Sequence, residues 1–109
     1  MPKHAPAHLA PATQRWWREV VNGFCLEAHH VRLLTLAAEA FDRTVQAREA
    51  IDAHGLTYLD GDKPRARPEV AIERDARLAF ARLVRELDLD TEGPVEEFSR
   101  PPAIKSNRG

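Results

Sequence analysis

EAHHVRLLTLAAEAFDRTVQAREAIDAHG, residues 27–55, reads as one long amphipathic helix closed by a glycine, and the rest of the chain is organised around it. Gly55 is expected to supply the left-handed residue on which helices commonly end. At 1.5 Å per residue such a helix is about 42 Å long, whereas a compact domain of this size has a radius of gyration near 13 Å. Stepping about 100° per residue from Leu34, the residues Val31, Leu34, Ala37, Ala38, Phe41 and Val45 form one stripe. Leu33, Ala40, Ala47 and Ile51 widen it on one flank. The apolar sector is broader than one partner helix needs, so the surplus is expected to be covered by sister molecules.

The neighbouring segments follow from the same periodicity. LTYLDGDKPRAR, residues 56–67, places Gly61-Asp62 between short apolar and basic runs and predicts a tight hairpin of two very short strands. Pro68 opens a second long helix that runs to Leu87, packed antiparallel to the first. Its expected core face is Ile72, Ala76, Ala79, Phe80, Leu83 and Leu87. The other side mixes Arg67, Arg74, Arg77 and Arg85 with Val70, Leu78 and Ala81, and a purely solvated face would rarely carry that valine and leucine. Ahead of the pair a short helix spans Pro11 to Val21 and stops at Asn22-Gly23. Adjacent Trp16 and Trp17 cannot share one direction, so one is expected to pack on the long helix with Val20 or Val21. The other is expected at an edge or a subunit contact. The expected fold class is mainly α, divided into a flexible N-terminus (residues 1–10), a helical domain (11–90) and a flexible tail (91–109).

Composition narrows the function. Apolar residues make up 43% and charged residues 30% of the 109, ordinary values for a single globular domain. No run approaches a membrane span, and Met1 to Pro11 lacks the apolar stretch of a signal peptide, so the protein is expected in the cytoplasm. The single cysteine, Cys25, agrees with a reducing compartment. With 16 basic and 17 acidic residues the chain has no net pull toward nucleic acid, so any such binding must come from local clusters or many copies. Positive charge concentrates in the N-terminal segment and the link: Lys3, Arg15 and Arg18 outnumber Glu19, and Lys63, Arg65 and Arg67 outnumber Asp60 and Asp62.

The order and spacing of several residues resemble the small subunit of tailed-phage terminase. These are Leu9 and Trp17 in the short helix, Leu36-Ala37-Ala38 through Phe41-Asp42-Arg43 in the long one, His54-Gly55 and Gly61. Pro68, Ile72-Glu73-Arg74 and the closing Glu86-Leu87-Asp88-Leu89-Asp90 complete the set. The chain departs from that pattern at Arg67, where a small polar residue or histidine is expected, and in a tail without an arginine-rich finish. The resemblance implies a phage- or prophage-encoded, non-catalytic factor acting in the host cytoplasm. It would form a homo-oligomeric ring, recognise double-stranded viral DNA and hand it to the large ATPase and nuclease subunit.

On that expectation Lys63, Arg65, Arg67, Arg74 and Arg77 are candidate phosphate contacts, with Lys3, Arg15 and Arg18 as a second patch, because long cations on rigid elements displace condensed counterions. Repetition around a ring would multiply weak contacts. The candidate interface residues are Trp16, Leu33, Ala40, Ala47, Ile51, Val70, Leu78 and Ala81, and the tail from Thr91 is a candidate docking segment for the large subunit. No metal or cofactor is expected: His4, His8, Cys25, His29, His30 and His54 offer isolated pairs that cannot complete a tetrahedral site. No phosphate loop, nucleophile elbow or two-metal carboxylate cluster is present in the sequence. The alternative expectation is a small dimeric adaptor or antitoxin-like protein acting only through protein contacts, which solution mass separates from a ring.

Overall fold

The computed structural model describes residues 4–89. Within them the chain forms helix α1 (Pro11–Gly23), helix α2 (Ala28–His54), strands β1 (Thr57–Asp60) and β2 (Lys63–Ala66), and helix α3 (Pro68–Leu87). The short helix, the long helix, the hairpin and the second long helix expected from periodicity are all present.

Each boundary has a local cause. Glu27 caps α2 reciprocally with His30: the Glu27 side chain accepts from the His30 backbone, and the Glu27 N–H donates to His30 Nδ1 at 3.2 Å. Gly55 closes the helix at φ 89° and ψ 178°, a region that only glycine occupies without strain, so the terminator works through an extended rather than a left-handed conformation. Between the strands Gly61 has φ 66° while Asp62 has a negative φ, the sign pattern of a type II′ hairpin turn. Pro68 opens α3, and Asp88, at φ 55° and ψ 48°, ends it in the left-handed region.

The largest fully buried side chains are one from each helix, Trp17, Leu34 and Leu87, and around them close Leu9, Val20, Leu26, Val31 and Ala38. Trp17 buries its indole without orphaning the N–H, which donates to Thr35 Oγ1 at 3.1 Å while that hydroxyl donates to the Val31 carbonyl. Residues ahead of α1 also meet the helices. Leu9 is 3% exposed in the core, His8 Nε2 meets Glu39 Oε2 at 2.8 Å, and Gln14 Nε2 donates to the Leu9 carbonyl.

The breadth of the α2 stripe has an explanation inside one protomer. Val31, Leu34, Ala38 and Asp42 fall within about 80° of helix circumference and meet α1, whose N-terminal end reaches α2 at Asp42. Phe41 and Arg48, further round the helix, meet Phe80 and Glu73 of α3, and Ala47 and Ile51 on the next flank are buried. Two helices therefore share α2, each on its own face, and the surplus read as an intermolecular surface is partly consumed within the chain. Ala47 and Ile51, placed on the subunit-interface flank, are already covered at 4% and 8% exposure and offer no surface to a second copy in this conformation.

The expected core face of α3 is also rotated. Ala76 and Leu87 are buried as expected, but Ile72 is 41% exposed and Ala79 is exposed, while Glu73 is buried in their stead. A carboxylate tolerates that position because both Arg48 of α2 and Arg77, one turn on, donate to Glu73 Oε2 at 3.2 Å.

Candidate nucleic-acid interface

The hairpin is exposed along both strands. Its register pairs Thr57 with Ala66, Tyr58 with Arg65, Leu59 with Pro64 and Asp60 with Lys63. Because directly paired residues share a face and alternate residues repeat it, Tyr58, Asp60, Lys63 and Arg65 occupy one side and Thr57, Leu59, Pro64 and Ala66 the other. One surface is polar and basic, the other apolar.

The candidate cations differ in how much of their charge is free. Arg65 Nε is held by Asp60 Oδ2 at 2.8 Å, and Arg74 Nε by Asp75 Oδ1 at 3.3 Å, both among exposed groups where solvent weakens the attraction. Arg77 gives one N–H to buried Glu73 while its side chain stays 58% exposed. Arg67 has a structural duty: its Nε donates to the His54 carbonyl at 3.2 Å and caps the carbonyl end of α2, while its backbone N–H extends the ladder to the Leu56 carbonyl. Lys63, Arg15 and Arg18 make no ion pair among the described residues; Arg15 and Arg18 stand three apart on the outer side of α1, away from buried Trp17. Lys3 lies outside the described residues.

Arg32 and Arg43 are two further cations outside the candidate set drawn from the sequence. They flank Leu36 on the outer side of α2, and both are exposed with no ion pair among the described residues. Eleven-residue spacing returns to one face of a helix, a cue available in the sequence but hidden by the net acidity of α2.

Among the candidate interface residues, Leu78 is 58% exposed and Ala81 is exposed beside it, so Arg74, Leu78, Ala81 and Arg85 line one outer stripe of α3. Leu33, Ala40 and Val70 are half-buried. Trp16 is half-buried at an edge, its ring 6.0 Å from that of Phe80. The described residues hold no group of three or more His, Cys, Asp or Glu that fits a metal ion. None of the described helices is long and apolar enough to cross a membrane.

The family model for the small subunit of phage terminase matches residues 14–93, well over half of the chain and nearly the whole of the helical body. The chain belongs to the phage terminase small subunit family. No curated protein and no solved structure matches it. Membership gives this terminase protein a role in phage DNA packaging, and small subunits of this family are generally non-catalytic packaging factors.

Proposed function

We propose that this small subunit is a non-catalytic, ring-forming factor that recognises double-stranded viral DNA in the host cytoplasm and passes it to the terminase large subunit. The observation that carries the reading is the family match across residues 14–93. Two features of the protomer support it. Lys63, Arg15 and Arg18 hold their charge unpaired among the described residues, as a phosphate-contacting surface requires. Leu36 and Leu78, 51% and 58% exposed between arginines on the outer sides of α2 and α3, supply apolar area for contact between copies.

With a near-neutral chain, affinity comes from repetition of a few cations around the assembly. Arg65 and Arg74 join the phosphate set by releasing weak, solvent-screened partners, whereas Arg67 positions the hairpin. The tail from Thr91 serves the large subunit.

Light scattering of the purified chain, with and without a viral DNA fragment, tests the assembly: a mass of many copies is expected, and a monomer or dimer at all concentrations refutes the ring. Alanine at Lys63, Arg65 and Arg74 together is expected to weaken DNA binding and to flatten the salt dependence by up to about one unit of log–log slope per lost phosphate contact. An unchanged slope removes these residues from the interface.

A further inference from the structure

Where the three helices meet, Trp16 of α1, Phe41 of α2 and Phe80 of α3 leave an open cleft of about 290 Å³, completed by Ala12 and Thr13. Phe80 lies 5.4 Å from Phe41 and 6.0 Å from Trp16, ring centre to ring centre, so three aromatic edges surround one apolar hollow. Phe41 is 43% exposed there, an unusual amount for a phenylalanine next to a closed core. Val45, one turn beyond Phe41, is 39% exposed.

The same stripes carry two cations. Arg48 follows Phe41 and Val45 on α2, and Arg77 precedes Phe80 by one turn on α3. Both share a single oxygen of Glu73 and remain half exposed, 52% and 58% at the side chain. Each guanidinium has five N–H groups, so most of their donors stay available to another carboxylate. The surface calls for a segment with an aromatic residue beside two acids.

The chain contains such a segment beyond the described residues: Val95-Glu96-Glu97-Phe98. We propose that this segment docks onto its own protomer, with Phe98 between Trp16, Phe41 and Phe80 and with Glu96 and Glu97 on Arg48 and Arg77. Reach permits it. Arg77 lies twelve residues before Leu89, about 18 Å along the helix, while Glu96 follows Leu89 by seven residues, up to about 23 Å of extended chain. α3 ends at Asp88 in the left-handed region, so the chain leaves the helix axis before the tail begins. The docked tail would be withheld from other partners until something competes for it. This inference stands independently of ring formation and DNA binding.

A fluorophore quenched on contact with indole tests it. Bimane is placed at Ser99→Cys in a Cys25→Ser background of the full chain. Trp17 is 1% exposed, so Trp16 is the indole the label can reach. Bimane emission is expected to be several-fold lower with Trp16 than in the Trp16→Phe variant, and to recover in Phe98→Ser and in Glu96→Lys/Glu97→Lys, which alter only the tail. Equal emission with and without Trp16 overturns the proposal. So does quenching of labelled Trp16→Phe chains refolded with an excess of unlabelled Trp16 chains, because the tail would then occupy a neighbour's cleft.

Discussion

Asp42 carries more of the structure than its type suggests. It is 9% exposed on α2, yet both its oxygens serve α1: Oδ2 accepts the Ala10 N–H at 2.8 Å, and Oδ1 accepts the Thr13 hydroxyl. Ala10 has no side chain with which to cap α1, so a carboxylate from another helix does that work and also places negative charge at the positive end of the α1 dipole. Asp42→Ala is expected to lower unfolding free energy by about 2–3 kcal/mol in a denaturant titration, the range for losing hydrogen bonds to a charged group inside the protein. Thr13→Val should cost less, and the pair should cost less than the separate losses combined, since both remove one shared interaction. Additive losses would show that the two residues act separately.

Much of the helical layout is legible in the sequence, because it rests on local signals: Pro11, Gly23, Gly55 and Pro68 are punctuation that works within a few residues. What escaped the reading was tertiary. Periodicity locates an apolar sector on α2 but does not say how many partners divide it, so a sector shared by α1 and α3 looked like an unmet need. Glu73 was missed for a related reason: its burial depends on Arg48, twenty-five residues away in sequence. The cations were located in the sequence, but their pairing states were not, because Arg67 reaches a carbonyl and Arg77 a buried carboxylate. The hairpin, by contrast, was fully encoded by Gly61. Its φ of 66° is costly for any side chain with a branched Cβ. Gly61→Val is expected to speed amide exchange across residues 57–66 while the helical melting transition stays in place, since every strand residue is exposed and contributes little to the core. A drop in that transition would make the hairpin part of the folding unit.

At the scale of the whole molecule, the proposed assembly is tested first on the outer side of α3, where Leu78 is exposed. Leu78→Asp is expected to change protomer stability by no more than about 0.5 kcal/mol, because the side chain is already 58% exposed, while lowering the mass measured by light scattering. Retained mass would move the contact elsewhere, with exposed Leu36 on α2 the next surface to alter. A lowered mass would also bear on the proposed DNA binding, since contacts repeated around an assembly weaken together when the copies separate.

The clasp between Asp42 and the start of α1 sets an order of events during synthesis. The first helix leaves the ribosome while its capping carboxylate is still unmade, and its tryptophan has no Leu34 to rest on. Thirteen residues are too few to hold a helix unaided in water. α1 is therefore expected to stay unlatched until residue 42 has cleared the exit tunnel, although it is made before its cap.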